Sequence, residues 1–550
     1  MTTFRKAVAL KASDGLLLSW LASSLDKIAH YQESEEIERQ LLEMALLENG
    51  ENHPTVAIHL NNLAQLLQKT NRYSEAEPLL RQVLAIYEEH FGEKHVREQH
   101  FNFAIALNNL ALLLKATSRY SEAEPLMRRA LALDEATFGE DHPRVAVRLS
   151  NLGLLLRETH RIDEAELLAQ RALTIQEASY GPFHPYVAIC LNNLALVYEA
   201  TGRSAEAEPL MRRAIAIDEA SFGENHPGVA NGLGNLALLL QKTGRSTEAE
   251  SLMRRALALN EASFGENHPK VAGDLNDLGH LLQDTGRFAE AEPLMRRALA
   301  IDEASFGENH LYVARDLNNL ARLLMITQRR AEAEPLLRRS LTISEGSYRW
   351  NHPHIAMILD GLVSLLRQTN RPLEAEPFLR QALAIRESNL GEKHPDVAND
   401  LKHLGAILLA TERAPEAEIF IRRALTIDED HFGEKHPSVA ANLNTLARVL
   451  RSMDQLPEAE LALRRSLAIE KEIYGEHHPR TAVALNRLSL LLLEMKRWPE
   501  AEALMRQAAA VSEKSLGADD PRTVMYRRNL EALLNSQRER NSRGEAGLEN

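Results

Sequence analysis

Histidine recurs along this chain at a fixed interval, and a regular series of imidazoles could in principle bind metal ions. The interval is 42 residues from His142 to His478, with Asp520 at the next step, and His95 and His53 continue the series upstream after one step of 47. Zinc needs several ligands at about 2 Å from a single point. If each repeat is a pair of packed helices, consecutive histidines lie about 10 Å or more apart. We therefore predict a structural role for them and no metal site.

The residues around each histidine are typical of a joint between two helices. Residues 221–227 read SFGENHP, and the same seven letters return one repeat later. We predict that Gly223 ends one helix in a left-handed conformation and that His226 caps the next helix. Pro227 then lies in the first turn, where a missing N–H costs nothing. Phe222 is expected to pack inward.

Each repeat contains two segments with helical periodicity. In the first, residues 187–202, apolar residues fall at i, i+3, i+4 and i+7 and form one stripe: Leu191, Leu194, Ala195 and Tyr198. In the second, residues 205–223, one face carries Ala207, Leu210, Met211, Ala214 and Ile217. A Glu-Ala-Glu motif opens this second helix, and we expect Ser121 to be an N-cap that forms a capping box with Glu124.

The composition agrees with a helical protein. Of 550 residues, 44% are hydrophobic but only 5% are aromatic, which suits helices packed through Leu and Ala. The net charge of −14 gives no reason to expect nucleic acid as a partner. A single cysteine, Cys190, cannot form an internal disulfide, and no apolar run is long enough to cross a bilayer. We predict a cytoplasmic protein that has no membrane segment.

The repeated motif resembles a known family. The residues that carry the resemblance are Leu191, Leu194, Ala195, Tyr198, Gly202, Ala207 and Ala214. Their spacing is similar to that of the tetratricopeptide repeat (TPR), and the 42-residue period with its LNNLA segment resembles the kinesin light chain type. The resemblance implies an all-α solenoid, a right-handed superhelix of about twelve antiparallel helix pairs with the first helices along its concave wall, plus a C-terminal capping helix.

The repeats predict one solenoid over residues 1–536. Within it, residues 1–50 form a degenerate N-terminal capping unit, 51–520 hold regular repeats with a five-residue insertion near 96–100, and 521–536 form the capping helix. Residues 537–550 are expected to be disordered, since they show no periodicity. Because stacked units touch only their neighbours, we expect no contacts between distant repeats.

The face of the first helices opposite the apolar stripe is the candidate binding surface. It carries a recurring asparagine at Asn62, Asn109, Asn151, Asn193, Asn235 and Asn319, and a recurring leucine at Leu112, Leu154, Leu196 and Leu238. Farther along, the same face carries arginines that include Arg322, Arg448 and Arg451. The amides could pair with the backbone of an extended peptide, or they could bridge neighbouring helices. The arginines suit an acidic partner, or they could belong to a solvated face of mixed charge.

The sequence contains no recognisable catalytic motif. A Gly-x-Gly-x-x-Ala run at 232–237 lies inside a first helix rather than after a strand, so it does not read as a nucleotide site. We predict a non-catalytic scaffold or adaptor that binds a peptide segment of a partner protein along the concave groove and needs no cofactor. The alternative is a regulatory or sensor subunit that controls a separately encoded effector. The oligomeric state is left open.

Overall fold

The computed structural model describes residues 15–27, 31–70, 72–90, 97–117, 119–348 and 350–545. These residues form 25 α-helices and no strand, arranged as twelve consecutive pairs and one last helix, so the predicted all-α architecture is confirmed. The first helices are α1 (Gly15–Lys27), α3 (Pro54–Lys69), α5 (Arg97–Ala116), α7 (Pro143–Glu158), α9 (Pro185–Ala200), α11 (Pro227–Lys242), α13 (Pro269–Asp284), α15 (Leu311–Ile326), α17 (Pro353–Gln368), α19 (Pro395–Ala410), α21 (Pro437–Ser452) and α23 (Pro479–Glu494). The second helices are α2 (Tyr31–Asn49), α4 (Tyr73–His90), α6 (Tyr120–Phe138), α8 (Ile162–Tyr180), α10 (Ser204–Phe222), α12 (Ser246–Phe264), α14 (Phe288–Phe306), α16 (Arg330–Ser347), α18 (Pro372–Leu390), α20 (Ala414–Phe432), α22 (Leu456–Tyr474) and α24 (Trp498–Leu516), followed by α25 (Pro521–Glu545).

The helices group into two compact units. Unit 1 comprises Met1–His352 and contains α1 to α16, and unit 2 comprises Pro353–Asn550 and contains α17 to α25. In both units each helix packs against the next one along the chain, and neighbouring first helices also contact one another. The continuity of a single solenoid over 1–536 stays a prediction.

The core is built from the predicted stripes. Leu191 and Ala195 are fully buried in α9, and Ala207, Met211 and Ala214 are fully buried in α10. Tyr198 is only half-buried, and Val197 takes its place in the core. The helical period of 3.6 residues leaves either neighbour able to face inward, and packing against the adjacent helix decides between them.

The joint histidines cap helices as predicted. In α11 the imidazole Nδ1 of His226 accepts a hydrogen bond from the backbone N–H of Gly228 at 3.0 Å. Phe222, however, does not pack inward: it is 47% exposed, and its ring stacks on His226 with centroids 4.8 Å apart. The aromatic residue therefore supports the cap by holding the imidazole in place, because stacked rings attract each other.

Two other local predictions need correction. Gly223 has a positive φ of 91° but a ψ of 151°, so it lies in the extended region with positive φ that only glycine readily adopts, and not in the left-handed helical region. Ser121 is not an N-cap, because α6 begins at Tyr120 and its cap position is Arg119, whose side chain makes no capping hydrogen bond.

An arginine at the cap position takes over the role expected of the capping box. Arg203 donates to Glu206 in the first turn of α10 at 2.8 Å and to Glu166 in α8 at 2.7 Å. In most repeats the two glutamates of the Glu-Ala-Glu motif thus have different partners at the cap positions. The first pairs with the arginine of its own repeat, and the second pairs with the arginine of the next repeat.

The ends of the chain and the insertion differ from the expectation in part. The last helix continues to Glu545 instead of ending at 536, since residues 537–545 include Gln, Arg and Glu, which are good helix formers. Residues 546–550 lie outside the described residues, as does the start of the insertion up to residue 96. Helix α5 begins at Arg97, without the proline found at most other joints.

One contact joins repeats that are far apart in unit 1. The Nε2 atom of His310 lies 3.0 Å from the carbonyl oxygen of Lys69, which is 241 residues away. The expectation that contacts are confined to neighbouring repeats is therefore wrong at this point.

Candidate functional site

The first helices of unit 1 expose an apolar strip on the face opposite their core. Leu112 and Leu238 are each 37% exposed, and Leu154 and Leu196 are half-buried. Exposed apolar residues two turns earlier lengthen the strip, and these were missed in the sequence: Ile58, Val147, Ile189. These three residues occupy the same position of their repeats, so an alignment of the repeats would have revealed them in the sequence. Because neighbouring first helices touch each other, the strip crosses helix after helix.

The recurring asparagines lie beside this strip, and several of them bridge neighbouring first helices. The amide of Asn109 donates to Asn61 at 2.8 Å, and that of Asn151 donates to Asn108 at 2.9 Å. Asn62 donates to Glu38 at 3.4 Å. Asn193, Asn235 and Asn319 are half-buried at equivalent positions. A bridging amide uses one donor hydrogen, so a second donor and the carbonyl oxygen are left over.

The three predicted arginines have different surroundings. Arg322 donates to His280 Nδ1 at 2.7 Å, and Arg451 pairs with Glu494 through a hydrogen bond of 2.7 Å from Nε. Arg448 is exposed and makes no ion pair within the part of the chain that the structure describes. Arg322 is thus hydrogen-bonded to a histidine, and the charge of Arg451 is partly neutralised by Glu494. The guanidinium of Arg448 is exposed and could contact a ligand.

Arg448 lies in a basic cavity of unit 2. The cavity has a volume of about 360 Å³, and its lining includes Arg448, Arg480, Arg487, Glu470 and Asn444. Burial, and after it the charge of Arg448, lowers the pKa of Arg487. Burial raises the pKa of Glu470, the one carboxylate among the residues that line the cavity. Three arginines and a single glutamate therefore line this cavity.

A larger cavity of about 650 Å³ lies between α17, α18 and α19. Arg386 extends from α18 and pairs with both Asp360 and Asp400. Burial lowers the pKa of His403 to about 4, and the charge of Arg367 adds to the effect, so the imidazole is neutral at physiological pH. The sequence did contain a signal for this site, because Arg386 replaces the acidic or small polar residue found at this position in most other repeats.

Unit 1 contains a cluster of buried acidic groups between α14 and α15. Asp302 and Asp316 are almost fully buried, and Arg315 donates to Asp316 at 3.0 Å and to Asp302 at 3.3 Å. Burial, and then repulsion from Asp316, raises the pKa of Asp302 to about 8. The pair therefore holds a proton at neutral pH and is a titrating group of the fold.

The chemistry available outside these surfaces is limited. Burial raises the pKa of the Cys190 thiol to about 11, which makes it a poor nucleophile. Among the described residues, no group of three or more His, Cys, Asp or Glu side chains is arranged to hold a metal ion. Within that same set, no helix combines the length and the apolar character needed to span a membrane.

Comparison with known protein families identifies the repeat. A tetratricopeptide repeat model matches residues 102–178, 168–220, 186–262, 228–304, 274–346, 354–430, 402–472, 438–514 and 480–541. A second tetratricopeptide repeat model matches 56–97. The chain belongs to the tetratricopeptide repeat family. The family assignment made from the sequence is thereby confirmed for the repeat. TPR arrays of this kind are protein–protein interaction scaffolds and are generally non-catalytic.

Two solved structures illustrate the similarity of this TPR protein to known folds. One is a protein of Podosopora anserina that is named after kinesin light chain and has nearly identical TPR-like repeats. Its sequence is 24% identical, the match covers 38% of this chain and 99% of the other, and the TM-score is 0.33. BtubC (BKLC) from P. vanneervenii has 24% identity over 43% of this chain and 91% of the other, with a TM-score of 0.35. A search among curated proteins finds no match.

Proposed function

We propose that this TPR protein binds an extended segment of a partner protein along the exposed face of its first helices. The observation that carries the proposal is the apolar strip of unit 1, where Leu112 and Leu238 remain 37% exposed although neighbouring helices are in contact. A continuous row of half-exposed leucines beside polar amides offers apolar anchors and hydrogen-bonding groups at the same time.

The basic cavity of unit 2 supports an acidic region in the partner segment. Arg448, Arg480 and Arg487 line the cavity together with a single carboxylate, that of Glu470, so positive charge is in excess there. A carboxylate of the partner would pair with two guanidinium groups that already repel each other, so binding would relieve that repulsion as well as add an attraction. Arg451 contributes less, because Glu494 already neutralises it.

A selection from a random peptide library, followed by calorimetry with the selected peptide, tests the proposal. Leu154→Ser and the double variant Asn151→Ala/Asn193→Ala should each weaken binding several-fold, since a lost hydrogen bond or apolar contact typically costs about 1 kcal/mol. Arg448→Glu/Arg487→Glu should weaken the binding of acidic peptides and reduce its salt dependence.

The matched control is Arg212→Glu in the second helix α10. Arg212 pairs with Glu208 and Glu248 and lies away from the first-helix face, so its reversal should leave peptide affinity unchanged. The proposal is wrong if no peptide is selected, or if the first-helix variants bind as well as the control at equal helicity.

A further inference from the structure

A hydrogen bond connects the start of α15 to the end of α3 in unit 1. The Nδ1 atom of His310 accepts from the backbone N–H of Tyr312 at 3.1 Å, as in the other caps. The ring proton therefore resides on Nε2, which donates to the carbonyl oxygen of Lys69 at 3.0 Å. Lys69 is the last residue of α3, and carbonyls in the last turn of a helix have no partner within the helix. The bond thus satisfies an acceptor at a helix C-terminus six helix pairs away.

Aromatic side chains extend this contact. The rings of Tyr31 and Phe306 stack with centroids 5.6 Å apart and an angle of 11° between their planes. Burial, and then the neighbouring Tyr312, raises the pKa of Tyr73. Tyr348 interacts electrostatically with both Tyr73 and Tyr312. Side chains from the beginning and the end of unit 1 therefore meet on both sides of the hydrogen bond.

The repeat sequence changes where the contact is made. The motif SFGENHP becomes SFGENHL at residues 305–311, and Leu311 is only 6% exposed, whereas Pro269 in the preceding joint is half-buried and Pro353 in the following joint is exposed. His310 is 5% exposed, although His226 with the same capping role is exposed. The joint before α15 thus departs from its copies in sequence and in burial together.

We propose that this contact is a clasp that holds the eleven helices between Lys69 and His310, α4 to α14, as one closed turn and controls access to their inner face. The clasp residues are Tyr31, Lys69, Tyr73, Phe306, His310 and Tyr312. The closing of the turn follows from the contact itself. The control of access rests on the proposed function, because it concerns the apolar strip along which a partner segment would bind.

Two interactions of the clasp can be removed one at a time. The hydrogen bond and the stacked ring pair together contribute roughly 30-fold to the preference for the closed form. Removing either one should raise the open population to a readily measured fraction. Opening would separate the two ends of the turn without breaking any contact between neighbouring repeats, so helicity would be kept.

Distance measurement by pulsed electron resonance tests the closed turn in the full chain without any ligand. Spin labels are placed at Gln65→Cys in α3 and Asn309→Cys beside the clasp, in a Cys190→Ser background. The parent protein should give one short, narrow distance distribution. His310→Asn retains a side chain that can cap α15 but is too short to reach Lys69, and Tyr31→Ala removes the ring stack from the other side. Each should add a longer, broader population.

His226→Asn is the matched control, since it makes the same change in a joint whose histidine has a cap and a ring stack only. Its distance distribution should equal that of the parent. The clasp is disproved if the parent already gives a broad distribution, or if His310→Asn and Tyr31→Ala both coincide with the control.

Thiol reactivity tests the control of access separately. Leu238→Cys, in the Cys190→Ser background, is modified with a small maleimide and with a maleimide attached to a bulky polymer. The polymer reagent should react several-fold faster in His310→Asn than in His226→Asn, while the small reagent reacts equally fast in both. Equal polymer rates would overturn the gating role, and because no ligand is used, this result leaves the proposed function to its own experiment.

Discussion

The histidines of the joints combine two interactions in one ring. From His142 to His478, the imidazole Nδ1 caps the following helix in nearly every repeat, and where the preceding helix ends in Phe or Tyr the ring stacks on that residue. The cap needs an unprotonated Nδ1, because a protonated Nδ1 can no longer accept a hydrogen bond. The regular spacing of the histidines is thus a consequence of the repeated joint.

Substitution of His226 should separate the two interactions. His226→Ala loses the cap and the stack on Phe222, and we expect a loss of about 1–2 kcal/mol in the free energy of unfolding of that region. His226→Asn keeps a capping side chain and should lose clearly less. Hydrogen exchange of the amides at the start of α11 measures the local effect. Equal losses in the two variants would show that capping contributes little.

The buried pair of Asp302 and Asp316 should make unit 1 less stable as pH rises. The pKa of Asp302 is raised from about 3.8 to about 8 in the folded state, so the protonated form stabilises the fold below pH about 4, and this contribution is lost as pH rises through 8. Asp302→Asn should remove this dependence and increase the free energy of unfolding at pH 9 by at least about 1 kcal/mol, the equivalent of one pKa unit.

Urea unfolding at pH 6 and pH 9 provides the measurement, with Asp134→Asn as the control. Asp134 has the same register in α6 but pairs with Arg148 at 2.7 Å, so neutralising it should destabilise the protein at both pH values. A parent protein whose stability is equal at pH 6 and 9 would contradict the assigned state of Asp302.

At the scale of helices, four junctions between a second helix and the next first helix contain a polar pair in which at least one partner is buried. Partners lie 14 residues apart: Asp134 with Arg148, Asn260 with Asp274, Arg386 with Asp400, and Asp428 with Asn442. The charges at the third junction are reversed relative to the first. In a chain of nearly identical repeats, pairs that differ from junction to junction disfavour stacking in the wrong order.

Exchanging the partners of one junction tests this interpretation. Arg148→Ala leaves Asp134 buried without a partner and should cost about 3–5 kcal/mol in the free energy of unfolding. The double variant Asp134→Arg/Arg148→Asp reproduces the polarity of Arg386 and Asp400 and should recover most of the loss. A double-mutant cycle from urea unfolding gives the coupling energy. Additive effects of the two single substitutions would rule out a specific pair.

At the scale of the whole molecule, most interactions follow the nearest-neighbour rule of a solenoid, and the clasp is the exception. Pairs of helices stack on the next pair in both units, and salt bridges such as Arg203 with Glu166 reinforce the same contacts. The clasp adds a restraint between residues 241 positions apart, so a change of pitch in one repeat of unit 1 would act on the others through the closed turn. In a scaffold of this kind, the access of a ligand to the first helices can change together with the pitch of the repeats.

The sequence by itself determined the repeat and its helices, because the 42-residue period contains both apolar stripes and the capping histidine of most joints. The pairing of twelve helix pairs followed directly. Local polar details were predicted less well. Arg119, and not Ser121, occupies the cap position of α6, where it forms ion pairs with Glu122 of its own repeat and with Glu77 of the preceding repeat. A motif read within one repeat does not show a partner that lies in the next.

Only the tertiary structure decided which of the candidate binding residues already have partners. Asn109 and Asn151 bridge helices, Arg451 pairs with Glu494, and Arg448 keeps its guanidinium exposed in a cavity with Arg487. The clasp was equally hidden, although the change from proline to Leu311 marked its position in the sequence. The physical reason is the same in both cases. Periodicity fixes contacts between neighbouring repeats, whereas contacts across a turn depend on how small angles between successive helix pairs add up along the chain.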